Sequence, residues 1–163
     1  MDNKIQTYKS PKLTLADNEV FVFGSNSQGF HGFGAAGYAS FNQIGNVWRE
    51  EKYDLKPHGW LGKWNVKGIS EGPQRGMEGK SYAIPTVAKP GAKQSIPLGT
   101  IKLSIEKFYT FAKSRSHLKF FVAQLAKGGL NGYSGEQMAS IYSGTIPENV
   151  YFDEGFAKLL TYE

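Results

Sequence analysis

The stretch FGSNSQGFHGFGAAGYA, residues 23–39, contains five of the chain's 20 glycines and begins where a hydrophobic run ends. That run, residues 19–23 (EVFVF), is rich in β-branched and aromatic side chains, which predicts a buried strand closed by a turn at residues 24–26. Apolar side chains near helical spacing predict a helix over residues 34–48. A glycine-rich loop between a strand and a helix can bring backbone N–H groups close to an anion.

A second glycine-rich loop, residues 128–135 (GGLNGYSG), has the same setting. It follows residues 118–125 (LKFFVAQL), which read as a strand, and Ser134 with Gln137 has the capping-box spacing of a helix that runs through Tyr142. In α/β sheets, ligands bind at the carboxyl ends of strands, where the following loop turns toward a helix. We therefore expect the two loops to bind a phosphate-bearing ligand together.

The remaining pattern alternates strands with helices. Residues 81–85 and 149–152 predict strands, and a short helix is expected at the end of the chain. Pro97 suits a first helical position, and the clearest helical periodicity follows it, with one apolar face formed by Leu98, Ile101, Ile105, Phe108 and Ala112. The alternation predicts an α/β domain whose central sheet carries helices on both faces, and 163 residues suit a single domain.

Composition excludes several classes of chemistry. The chain has no cysteine, so disulfides, thiolate zinc sites and cysteine nucleophiles are excluded. His58 and His117 lack metal-ligand spacing, and we expect no metal and no cofactor. The chain lacks a P-loop motif, and Gly29, Gly32 and Gly34 do not have dinucleotide-fold spacing. No apolar run is long enough to span a membrane and no secretory signal is present, so a cytoplasmic protein is expected.

Charge leaves a second function open. The formal net charge is +5, and residues 89–127 contain one acid, Glu106, against eight basic residues, which are Lys89, Lys93, Lys102, Lys107, Lys113, Arg115, Lys119 and Lys127. Lysines spread in this way form a solvated helix face or, alternatively, a nucleic-acid-binding or protein-interaction surface.

Three separated motifs occur in order along the chain. They are VFVFGSN with HGFGAA in residues 20–36, EGPQRGMEGKSYAIPT in residues 71–86, and LAKGGLNGY in residues 125–133. Together they resemble macrodomains, most closely small macro-like proteins of phages and bacteria. The resemblance covers residues 18–152 and implies one macro-like domain over residues 1–163, with an irregular insertion around residues 48–67.

The resemblance implies a fold and a ligand. The expected fold is a three-layer α/β/α sandwich with a mixed central sheet, and the expected ligand is ADP-ribose or a related nucleotide diphosphate sugar. An ADP-ribosylated protein or nucleic acid would be the larger partner. The implied ligand-binding residues are Gly24, Ser25, Asn26, Gly32, Phe33, Gly34, Ala35, Thr86, Gly128, Gly129, Leu130, Asn131, Gly132 and Tyr133.

Catalysis is a separate expectation. If an ADP-ribosyl bond is hydrolysed, Asn26 would orient the attacking water or the distal ribose, and His31 or Glu71 would act as the base. One macrodomain branch uses an aspartate in the second loop, where this chain has Asn131, and asparagine cannot act as a carboxylate base. A macro-like scaffold that has lost its ligand and serves as an interaction protein is a third alternative.

Overall fold

The computed structural model describes residues 5–10, 15–28, 71–73, 81–89, 91–123 and 131–161. Within these ranges six strands form one sheet: β1 (Gln6–Tyr8), β2 (Glu19–Asn26), β3 (Gly72–Pro73), β4 (Ser81–Val87), β5 (Lys119–Val122) and β6 (Val150–Asp153). Three helices lie in the same ranges: α1 (Leu98–Lys113), α2 (Gly135–Tyr142) and α3 (Glu154–Ala157).

The strand order is β1-β6-β5-β2-β4-β3. Five of the strands run parallel, from β1 to β4 across the sheet, and β3 pairs antiparallel with β4 at one edge. Parallel strands need long crossover connections. α1 lies in the connection from β4 to β5, and α2 lies in the connection from β5 to β6. The predicted α/β class with a mixed central sheet is confirmed.

The main core lies on one face of the sheet, beneath α1 and α2. The inward-facing residues of β2, Val20 and Val22, join the buried residues of β4, β5, β6 and the helices in one cluster. The predicted apolar face of α1 is confirmed at Ile101, Ile105, Phe108 and Ala112, which are fully buried, while Leu98 is half-buried.

The other face of the sheet is also buried at its centre. Phe21 and Phe23 of β2 stack with ring centroids 6.4 Å apart and are almost inaccessible to solvent. Beside them, Ala83 is completely buried, and Phe121 stacks on Tyr151 at 4.9 Å. Because both faces of β2 are buried, its residues read as a continuous hydrophobic run rather than an alternation, as expected of a central parallel strand.

Sequence and structure differ at the edges of the elements. β2 continues three residues past the predicted strand, to Asn26, and β4 continues two residues, to Val87. The edge strands β1 and β3 were not predicted, because segments of three and two residues are too short to show periodicity. The capping box of Ser134 and Gln137 is confirmed. The predicted helix over residues 34–48 and the insertion around residues 48–67 lie outside the described residues.

The side chain of Asn149 forms hydrogen bonds that connect the C-terminal end of α1 to the sheet. Nδ2 of Asn149 donates to the backbone carbonyl oxygens of Ala112 at 2.8 Å, Arg115 at 3.1 Å and Leu118 at 3.0 Å. The backbone carbonyl of Asn149 accepts from Phe120 N–H at 2.8 Å. These carbonyls span the end of the helix and the turn into β5. Losing the amide would leave them without this donor.

We therefore predict that Asn149→Ala lowers the free energy of unfolding by about 1–3 kcal/mol, measured by urea denaturation. The neighbouring Glu148 is exposed, and Glu148→Ala is the matched control, with an expected change within about 0.5 kcal/mol. Equal effects of the two substitutions would contradict the role assigned to Asn149.

Candidate functional site

The candidate site lies at the carboxyl ends of β2 and β5, where both glycine-rich loops begin. The two strands are parallel neighbours, and their register pairs Val22 with Val122. β5 ends at that point, and Ala123 N–H donates to the Val22 carbonyl at 2.8 Å. β2 runs four residues further beside β4, which is about 13 Å of extended chain. The carboxyl end of β5 therefore lies beside β2, four residues before the end of β2.

The connections from these two strands run in opposite directions. From β2 the chain continues to β3 and β4, which lie on one side of β2 in the sheet. From β5 it continues through α2 to β6, which lies on the side of β5 away from β2. Such a divergence between neighbouring parallel strands is the position at which open α/β sheets bind ligands, because no crossover covers the carboxyl ends there. Residues 24–28 form and follow the end of β2 at this edge, and residues 131–133 lie beside the segment after β4, whose Gln94 N–H donates to the Asn131 carbonyl. The meeting of both loops at one site stays a prediction.

The start of the first loop is shaped by close packing. An added Cβ on Gly24 would lie 3.1 Å from Oγ1 of Thr86, so a side chain at this position would require Thr86 to move. Thr86 is the extra residue of an irregularity in the β2–β4 register, and its hydroxyl lies 3.4 Å from the Ser25 carbonyl oxygen. The structure thus brings together Gly24, Ser25 and Thr86, three of the residues that the resemblance implies for ligand binding.

Asn26 ends β2 and is only 6% exposed. Its Oδ1 accepts a hydrogen bond from Gln28 N–H at 3.2 Å, and Ser27 N–H donates to the Val87 carbonyl at 2.9 Å. The side chain thus stabilises a turn at residues 26–28, as asparagine commonly does. This contact makes Asn26 a loop-shaping residue in addition to its predicted contact with a ligand.

The second loop reaches α2 through a tightly bonded turn. The buried side chain of Asn131 accepts from Tyr133 N–H at 3.1 Å and places Nδ2 3.4 Å from Sδ of Met138. Gly132 between them has φ +84°, a left-handed conformation that favours glycine. The hydroxyl of Tyr133 donates to the Ile96 carbonyl at 2.8 Å.

A third segment meets this turn. Residues 91–97, which we call the brace segment, connect β4 to α1, and its Lys93 packs against Gly132, where an added Cβ would lie 2.7 Å from Cβ of Lys93. Gln94 of the same segment donates from its backbone N–H to the Asn131 carbonyl at 2.5 Å. No pattern in the sequence predicted this contact.

The N-terminus of α2 is closed by its own side chains. Ser134 Oγ accepts from Gln137 N–H at 3.1 Å, and Gln137 Oε1 accepts from Ser134 N–H at 2.9 Å. The acidic Glu136 stands in the first turn. An anion at this site would therefore be bound mainly by the loop backbones, with a smaller contribution from the helix end.

The carboxyl end of β5 is also held from the opposite side. Tyr8 of β1 reaches past β6 and donates its hydroxyl to the Val122 carbonyl at 2.6 Å. Burial, reinforced by the nearby Asp153, raises the pKa of Tyr8 above its ordinary value, so the hydroxyl stays protonated as a donor. Asp153 itself accepts from Ser10 and caps α3 through Gly155 N–H. Because β1 was not predicted, sequence reasoning missed these residues.

Glu71 lies apart from the other candidates. It precedes β3 at the sheet edge, and the β3–β4 register places it opposite Ile84, about 10 Å across the sheet and about 10 Å along the strand from Asn26. Its Oε2 lies 4.0 Å from Nζ of Lys107 and accepts no hydrogen bond. The structure thus does not bring Glu71 together with Asn26.

Several predicted site residues lie outside the described part of the chain. In the first loop these are His31, Gly32, Phe33, Gly34 and Ala35, and in the second they are Gly128, Gly129 and Leu130. Of the catalytic candidates, only Asn26 is both described and located at the carboxyl edge.

The basic residues do not form one stripe in the described ranges. Lys89 and Lys93 lie at the carboxyl edge after β4, and neither is paired with a carboxylate in the part of the chain that the structure describes. Lys119 begins β5 at the opposite edge, and Arg115 stacks over the Phe111 ring with Cζ 3.8 Å from its centroid. The predicted nucleic-acid surface stays a prediction.

Comparison of the chain with known protein families, with curated proteins and with solved structures finds no match. The resemblance to macrodomains therefore stays a prediction. Among the described residues, no group of three His, Cys, Asp or Glu side chains could hold a metal ion. None of the helices in those ranges is long and apolar enough to cross a membrane.

The contact between Gly132 and the brace segment yields a stability prediction. Gly132→Ala adds a Cβ both to a left-handed backbone and against Lys93, whereas Gly91→Ala adds one to a similar backbone, φ +80°, with no atom within 4 Å. Gly91→Ala should cost about 1 kcal/mol of unfolding free energy, and Gly132→Ala about 1–3 kcal/mol more. Urea denaturation measures both, and equal losses would contradict the packing of Gly132 on the brace segment.

Proposed function

We propose that the chain binds a nucleotide diphosphate of the ADP-ribose type at the carboxyl ends of β2 and β5. The observation that supports the proposal is the divergence of the chain between these two parallel neighbours, whose carboxyl ends lie at one edge of the sheet and are each followed by a glycine-rich sequence. A diphosphate has two adjacent phosphoryl groups, and two loops that supply backbone N–H donors match that arrangement.

Electrostatics at this edge favours an anion. Residues 24–28 and 131–135 contain no acidic side chain, and Lys89 and Lys93 follow β4 beside them. A hydrogen bond to a charged oxygen contributes about 1.5–3 kcal/mol, so a few backbone donors reach the ~8 kcal/mol of a micromolar ligand. The lysines would add attraction for the ligand as it approaches.

The full three-layer sandwich is also part of the proposal. Phe21, Phe23 and Ala83 are buried on the face opposite α1 and α2, so that face is covered. In a three-layer sandwich this face would be covered by helices, as α1 and α2 cover the other face. Helices on both faces would agree with the resemblance of the three motifs to macrodomains.

Binding is better supported than hydrolysis. Asp153, the carboxylate at the end of β6, is occupied as the cap of α3 and by Ser10, and Glu71 is remote from Asn26. Within the described ranges no other carboxylate or histidine stands at the carboxyl ends of β2 and β5. An ADP-ribosyl hydrolase would therefore depend on His31, which lies outside those ranges.

Calorimetric titration with ADP-ribose tests the proposal. We expect a dissociation constant in the micromolar range and a loss of about tenfold or more for Asn26→Asp, because the new carboxylate keeps the acceptor for Gln28 N–H but repels the diphosphate. Because Asn26 is only 6% exposed, the carboxylate should also lower stability, and thermal unfolding checks that the variant is folded at the temperature of the titration. A single-stranded oligonucleotide titrated over a range of salt concentrations tests the nucleic-acid alternative, which requires a steep salt dependence.

The control makes the same substitution at the other end of the same strand. Asn18 precedes β2 at the amino edge, is exposed, and contributes its carbonyl oxygen to Lys119 N–H. Asn18→Asp should leave the affinity for ADP-ribose within about twofold, since it lies more than a Debye length, ~8 Å, from the proposed site. The absence of binding at millimolar ADP-ribose, or equal losses from the two substitutions, would contradict the proposal.

A further inference from the structure

Gln94 adopts an unusual backbone conformation. Its φ is +51°, and it is the one residue other than glycine with positive φ in the described ranges. In this region Cβ crowds the carbonyl oxygen of the same residue, so residues other than glycine, asparagine and aspartate rarely occupy it. Surrounding contacts must therefore hold Gln94 in place, and they lie on the second loop.

Gln94 donates two hydrogen bonds to successive residues of that loop. Its backbone N–H donates to the Asn131 carbonyl, and its side-chain Nε2 donates to the Gly132 carbonyl at 3.0 Å. The left-handed backbone aims both donors at the same turn. Gly132 is itself left-handed and has no Cβ, which is what allows the stem of Lys93 to approach it.

The brace segment is folded firmly enough to act as an anchor. Ser95 Oγ accepts from Ala88 N–H at 2.8 Å and donates to the Ala92 carbonyl at 2.5 Å. Tyr133 closes the other end through its bond to Ile96, immediately before Pro97 and α1. Since β4 also bonds the first loop through Val87 and Ser27, the region after β4 touches both loops.

We propose that Gln94 is a positioning residue that latches the end of the second loop onto the brace segment. The latch fixes where residues 131–133 lie relative to the end of β2. Its effect on ligand affinity rests on the proposed function, since the loop would be held ready for the diphosphate. The latch itself is a property of the free protein and can be measured without any ligand.

Amide hydrogen exchange of the free protein tests the latch. Gln94→Met keeps the length of the side chain but cannot donate, and Gln94→Gly also removes the crowding of Cβ while keeping the backbone donor. In Gln94→Met we expect exchange at the amides of residues 94 and 133 to accelerate about fivefold to tenfold, the effect of one lost hydrogen bond. In Gln94→Gly the acceleration should be smaller, because relief of the strained backbone offsets part of that loss. Amides of β2 and β5 should exchange at the wild-type rate, which also shows that the fold is intact.

Gln6→Met is the matched control, because Gln6 is exposed on the edge strand β1, which β6 and β5 separate from β2. It should leave the exchange of residues 94 and 133 unchanged. Unchanged exchange in both Gln94 variants would overturn the latch.

ADP-ribose titration of the same variants tests the consequence for binding. We expect the dissociation constant to rise about fivefold in Gln94→Met, to rise less in Gln94→Gly, and to stay at the wild-type value in Gln6→Met. Faster exchange with unchanged affinity would overturn the role of the latch in binding. If the wild-type protein does not bind ADP-ribose, the proposed function fails, while the exchange rates still decide whether Gln94 holds the loop.

Discussion

The parallel pairing of β2 with a strand on each side is the constraint on which the rest of the structure depends. β2 is bonded to β5 through Val22 and to β4 as far as Asn26, and both of its faces are buried. A slip of one residue in either register would exchange the two faces of β2, so that Phe21 and Phe23 would point toward the core under α1 and α2, where Val20 and Val22 now lie. The register therefore fixes both cores, and it also fixes the points at which the two glycine-rich loops leave the sheet.

The candidate site follows from the unequal lengths of these pairings. Because β5 stops beside Val22 while β4 continues to Val87, the end of β2 projects past the end of β5. The loop then returns to α2 through a turn that is bonded to the brace segment at Gln94 and Tyr133. The candidate site thus draws on the segments that follow β2, β4 and β5. The brace segment, which follows β4, is not glycine-rich, since Gly91 is its one glycine.

Much of this fold is readable from the sequence, and the reasons for the gaps are physical. β2, β4, β5, β6 and α1 have long enough hydrophobic patterns to be recognised, and Ser134 with Gln137 marks the start of α2 by a local hydrogen-bond pattern. The order of the strands has no local signature, because β2 and β5 are separated by most of the chain. The positive φ of Gln94 also has no sequence signature, because glutamine does not favour this conformation and its hydrogen bonds to the second loop stabilise it.

The central claim is that one ligand meets both loops at the carboxyl edge of the sheet. Titration of the ¹⁵N-labelled protein with ADP-ribose, followed by amide chemical shifts, tests it most directly. The account predicts that, among the described residues, the largest shifts fall on residues 24–28 and 131–135 and saturate at the same ligand concentration. The largest shifts at residues 15–19 and 115–119, at the amino edge, or the absence of any shift would contradict it.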